Sequence, residues 1–156
     1  MRVGDWDGIA DLDPSEVEQR LVANVDLLLA ARPTGATEVA TVSSWPEPLR
    51  TLWYLNWLQY EIDLGGMTGF LYNRNEQLAA TAAALVRTGA VGSARVIDEA
   101  RALLDEEPDA WHGDAAAALE ERFEEQSDLD DREACLTRYL VATLTETLSW
   151  ATSDER

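Results

Sequence analysis

The sequence predicts an all-α fold, a single compact, bundle-like domain of five to six helices. Apolar residues recur at spacings of three and four along most of the chain, the period of a helix with one buried face. The stretches between these runs are short and carry Pro, Gly or Asp, which favours antiparallel helical neighbours. No two alternating apolar runs stand ready to pair as strands. At 156 residues and 46% hydrophobic, the chain suits one core. That domain is expected over residues 14–156, behind an acidic, irregular tail at 1–13 that is mobile or lightly docked.

The first helix is expected over residues 14–31. Asp13 is placed to cap it, Pro14 suits the first helical position, and Glu16 stands three after the cap. Val17, Leu21, Val25 and Leu28 form its inner stripe, and Arg32-Pro33-Thr34-Gly35 ends it. A loop with Val39 and Val42 as anchors leads to a second helix at 46–64. There Leu49, Leu52, Trp53, Asn56 and Tyr60 share a face, widened by Leu55, Leu58 and Ile62, so this helix is expected at the centre of the fold. It is expected to stop at Leu64-Gly65-Gly66, with one glycine left-handed. A short turn from Met67 to Asn73 then carries Phe70 and Leu71 inward.

Asn73 or Asn75 is placed to cap a helix at 76–87 that Thr88-Gly89 closes, and another follows at 92–104 with Val96, Ile97 and Ala100. Asp105-Glu106-Glu107-Pro108 reads as a linker, and Asp114 as the cap of a helix at 115–126 built on Leu119 and Phe123. A turn from Ser127 to Asp131 leads to the last helix, 132–150, with Leu136, Tyr139, Leu140, Thr143, Leu144 and Leu148 as its stripe. Six tryptophans supply large buried area, and each buried indole N–H calls for a partner.

Charge is the strongest compositional signal. Thirty Asp and Glu face 12 basic residues, a net of −18, and every basic residue is Arg. Such a polyanion repels nucleic acid and anionic membranes and attracts basic surfaces. The densest region, residues 105–133, holds thirteen carboxylates and two arginines. Drawn as one helix it carries a carboxylate per roughly 3.3 Å, against about 3.4 Å per phosphate along one DNA strand. Glu120, Glu124 and Asp128 form one row and Glu121 and Glu125 another, with Asp130 and Asp131 beyond. These seven are the candidate partner-binding residues. Like charges four apart repel, so exchanging Glu120, Glu121, Glu124 and Glu125 for Gln is expected to leave stability unchanged or higher.

The stretch Glu61-Ile62-Asp63-Leu64-Gly65-Gly66-Met67-Thr68-Gly69-Phe70-Leu71-Tyr72-Asn73 resembles the signature of the bacterial DNA-mimic protein family. Glu61, Ile62, Gly65, Gly66, Phe70, Leu71 and Asn73 fit that pattern. Leu64 stands in place of its Asn, Met67 of an aromatic and Gly69 of its Gln. Ala84-Leu85-Val86-Arg87-Thr88-Gly89-Ala90 and the segment from Asp130 to Leu140 extend the resemblance over roughly residues 45 to 145. The resemblance implies a helical domain that imitates duplex DNA and binds a DNA-binding transcription regulator, and it allows a homodimer. Glu61, Gly65, Gly66, Phe70 and Asn73 read as a structural motif: the glycines let Phe70 fold back, and Glu61 holds a backbone N–H or an Arg such as Arg74.

Catalysis and cofactors are not expected. A single histidine, His112, and a single cysteine, Cys135, cannot make the usual zinc ligand set. The absence of Lys removes the phosphate loop that ends in one. The expected role is a non-catalytic, acidic protein-binding domain whose partner is a basic protein, with no direct nucleic-acid contact. An immunity or antitoxin protein neutralising a basic nuclease toxin is the alternative. The N-terminus lacks an apolar signal region and no run of about 18 apolar residues exists, so a bacterial cytoplasmic location is expected, with no membrane contact.

Overall fold

The structure, a computed structural model, describes residues 3–153, and these are all-α with no strand among them. The helices are α1 (Pro14–Ala30), α2 (Glu38–Ser43), α3 (Glu47–Arg74, broken at Gly66), α4 (Leu78–Thr88), α5 (Val91–Glu106), α6 (Asp114–Asp130), α7 (Arg132–Ala142) and α8 (Leu144–Thr152). Single 3-10 turns lie at Ile9–Asp11, Asn75–Gln77 and Ala110–His112. The backbone forms two compact units. One combines the chain up to Trp53 with the chain from Leu136 on, and the other is Tyr54–Cys135.

In the first unit, α1 begins as expected. The Asp13 carboxylate accepts hydrogen bonds from the Ser15 and Glu16 N–H groups, both at 3.0 Å, and Glu16 reaches back to the Asp13 N–H, completing a capping box. Val17, Leu21, Val25 and Leu28 are buried. The acidic segment before α1 is docked by two apolar anchors, Trp6 and Ile9. Buried Asn24 completes the attachment: its Oδ1 accepts from the Asp5 N–H at 2.7 Å, and its Nδ2 donates to the Asp5 carbonyl at 2.9 Å. Trp6 meets Trp150 edge to face, with ring centroids 6.4 Å apart. Its indole N–H has no hydrogen-bond partner among the described residues, contrary to expectation.

Three expectations are corrected in this unit. Residues 38–43 form a helix rather than a loop, because the Thr37 hydroxyl caps the Ala40 N–H at 3.1 Å. Of its two anchors only Val42 is buried; Val39 is exposed. The last helix is two, α7 and α8, separated at Thr143, whose hydroxyl donates back to the Tyr139 carbonyl at 2.8 Å. Leu136, Leu140 and Leu144 are nevertheless buried in one stripe across the break.

In the second unit, α4 packs on α5 and α5 on α6. Leu55, Leu58, Met67, Phe70, Leu71, Leu85, Ile97, Leu119 and Phe123 are buried. Gly89 ends α4 in the left-handed conformation, φ 96°, as expected. The expected caps of the other helices here differ. Asp114 is the first residue of α6 rather than its cap, which is Gly113. Neither Asn73 nor Asn75 caps α4; a 3-10 turn leads into it instead. Tyr60, expected on the inner face of α3, is 54% exposed.

Candidate functional site

Residues 67–74, expected as a turn, continue the helix beyond a sharp break. Gly65 stays helical, while Gly66 has φ 63° and ψ −165°, a combination open only to glycine. Met67 is buried at the start of the new segment and Phe70 and Leu71 follow it into the core. In a straight helix residues 61 and 73 would lie about 18 Å apart along the axis. Here Asn73 Nδ2 donates to Glu61 Oε2 at 2.8 Å, and Arg74 Nε lies 3.3 Å from Glu61 Oε1. The chain therefore reverses at the glycines and Glu61 clasps the two arms. The Arg74 guanidinium also lies over the Trp57 ring, 3.7 Å from its centroid. Glu61 and Asn73 thus meet across the break at Gly66, with Phe70 buried beyond it. Trp57 and Glu120 belong to this arrangement too, and the sequence gives no local sign of either.

Glu120 closes the break from outside. Its Oε2 accepts a hydrogen bond from the Met67 N–H at 2.7 Å. That N–H starts a helical segment, so it lacks an intrahelical partner and sits at the positive end of the backbone dipole. A Cβ added at Gly66 would meet the same carboxylate at 2.3 Å. Asp130 plays a similar part for α5. Its carboxylate accepts from the Ser93 N–H at 2.7 Å, the Ser93 hydroxyl at 2.9 Å and the Gly92 N–H at 3.3 Å. Two of the seven candidate binding residues are therefore committed to holding helix N-termini. For Glu120 this hydrogen bond opposes any gain from relieved repulsion, because removing the charge also weakens a contact within the fold.

The other five are exposed: Glu121, Glu124, Glu125 and Asp128 on α6, and Asp131 just after it. Asp131 ends α6 with φ 51°. Residues 105–133 do not form one rod. They cover the end of α5, a 3-10 turn, α6 and the start of α7, with the break at Asp131 rather than at Ser127. Within α6, helical spacing puts exposed Asp114, Glu121, Glu124, Glu125 and Asp128 on the side away from buried Ala116, Leu119 and Phe123. Arg122, the one cation of α6, pairs with Glu99 of α5 at 2.5 Å. Arg132 is turned inward, to the Ser127 hydroxyl at 3.2 Å and to Gln59, and its guanidinium lies 5.6 Å from the Phe123 ring. Burial holds Arg132 below the ordinary arginine value, opposed by the charges of Glu133 and Asp63. The outer side of α6 is thereby left unmixed in sign.

These features define a helical, acidic protein with a glycine-hinged helix clasped by a glutamate and an unmixed row of carboxylates on a neighbouring helix. Residues 43–148 match the family model described as DMP19-like protein, and the chain belongs to that family. No curated protein and no solved structure matches it. No helix among the described residues is long and apolar enough to cross a membrane.

Proposed function

We propose that the chain is a non-catalytic DNA mimic whose α6 face binds a basic DNA-binding regulator. The observation that carries this reading is the row Asp114, Glu121, Glu124, Glu125 and Asp128, all exposed, while the one arginine of α6, Arg122, is paired with Glu99 of α5. From Asp114 to Asp128 the helix rises about 21 Å, so five carboxylates lie along a length over which one DNA strand presents about six phosphates. Membership of the DMP19-like family agrees with this role. Charge of one sign steers a basic partner onto the face and raises the association rate more than it slows release.

The test is binding to a panel of basic helix-turn-helix domains, with duplex DNA as competitor. A true partner binds the protein and its DNA site exclusively of one another, and affinity falls as salt rises, since exposed charges are screened over about 8 Å at physiological ionic strength. Exchanging Glu121, Glu124, Glu125 and Asp128 for Gln lowers that affinity without loss of stability. Equal binding of wild type and variant at low and moderate salt would remove this face as the site.

A further inference from the structure

On the arm of α3 before Gly66, two large apolar side chains are left in solvent. Leu64 is 69% exposed and Tyr60 54%. They stand one helical turn apart and so share a face, with exposed Asp63 on its edge. Trp57 backs the Tyr60 ring edge to face, at 5.2 Å between centroids, which holds the ring in place. A chain of contacts ties this face to α6. Gln59 donates to Asp63 at 2.6 Å and also meets Arg132, which bonds Ser127 of α6, while Glu120 of α6 bonds Met67 just beyond the hinge. The two arginines nearby are occupied within the fold, Arg74 on Trp57 and Glu61, Arg132 on Gln59 and Ser127.

We infer that Tyr60 and Leu64 are the apolar anchor of the acidic face, and that the occupant is a basic helical segment carrying apolar side chains beside its arginines. The inference rests on the proposed function. Charge complementarity selects the occupant: an anchor beside exposed Asp63, on a chain of net charge −18, favours apolar groups flanked by cations and disfavours acidic or purely apolar surfaces. Two side chains one turn apart also match the spacing of apolar residues on a facing helix. Carboxylates then set encounter, and the anchor sets discrimination among basic partners.

The test uses two labelled helical peptides of equal positive charge, one with Arg and Leu on a common face, the other with each Leu replaced by Gln. Wild type is expected to bind the Leu peptide about tenfold more tightly than the Gln peptide, the effect of one modest hot spot. The double variant Tyr60→Gln, Leu64→Gln should melt like wild type and bind both peptides at the Gln-peptide level. Retention of the preference by that variant overturns the anchor. So does sedimentation showing a wild-type dimer that the variant abolishes, because the occupant is then a second copy of the chain. If Glu121→Gln, Glu124→Gln and Glu125→Gln together leave both affinities unchanged while the Leu preference persists, the charge reading fails and the anchor stands. Binding of neither peptide at low salt overturns both.

Discussion

The Glu120 carboxylate accepts a hydrogen bond from the Met67 N–H at 2.7 Å, across 53 residues of sequence, and so caps the second arm of α3 from a neighbouring helix. Glu121, next to it in the chain, is exposed. Hydrogen bonds to charged groups contribute about 1.5–3 kcal/mol, so Glu120→Ala is expected to cost about that much in urea unfolding, and Glu120→Gln about 1 kcal/mol, since the amide keeps an acceptor. Glu121→Gln should leave stability unchanged or raise it by a few tenths of a kcal/mol, through relief of repulsion with Glu125. Equal effects at the two positions would contradict the capping role of Glu120.

The glycine pair divides in the same way. Gly66 has a positive φ and no room for a Cβ, which would meet Glu120 at 2.3 Å. Gly66→Ala is expected to destabilise by about 1–3 kcal/mol from backbone conformation alone, and Gly66→Val by more. Gly65 is helical, with nothing within 4 Å of an added Cβ. Gly65→Ala should therefore stabilise by about 0.4–1 kcal/mol, because alanine narrows the unfolded ensemble. Thermal melts of the two alanine variants shifting in opposite directions would confirm the assignment.

The clasp at Glu61 couples two arms of one helix, and a double-mutant cycle measures it. Asn73→Ala removes the 2.8 Å hydrogen bond to Glu61 and should cost about 1 kcal/mol. Glu61→Ala strands Arg74 and Asn73 together and should cost about 2–4 kcal/mol, as breaking a largely buried pair does. The two losses should fall short of additive, with a coupling of at least 0.5 kcal/mol. Strict additivity would show that the arms are held without this contact. Arg74→Lys should also destabilise, since an ammonium reproduces neither the planar stack on Trp57 nor the Nε contact.

Acid titration isolates the cap of α1. The Glu16 N–H, and after it the Ser15 hydroxyl, hold the Asp13 carboxyl below the ordinary aspartate value of 3.8. A lowered folded value gives stability that is fully present above the unfolded value and is lost as pH falls through the folded one. The stability difference between wild type and Asp13→Ala should therefore stay constant from pH 7 to pH 5 and shrink only below pH 3.8. Denaturant melts across that range check it, and a difference that closes above pH 5 would refute the assignment.

The helical class, most helix boundaries and the net charge can be read directly from the order of the residues. These were legible because they depend on residues within a turn of one another. The Asp13 and Glu16 box is complete within four positions, Gly89 carries its own left-handed turn, and the spacing of Val17, Leu21, Val25 and Leu28 marks a buried face without a partner in view. The glycine signature told that the chain must bend near residue 66, since few residues but glycine take that backbone conformation. Which carboxylates face the solvent depends instead on long-range packing. Glu120 and Glu121 are the same residue type on the same helix, as are Asp128 and Asp130, yet one of each pair ends on an unpaired backbone N–H brought up by a segment tens of residues away. Helical periodicity also misplaced Tyr60, because a pattern defines which residues share a face but not whether another helix arrives to cover it. Local propensity is written in neighbouring residues, while the satisfaction of a charge or an apolar face depends on what the fold places across from it.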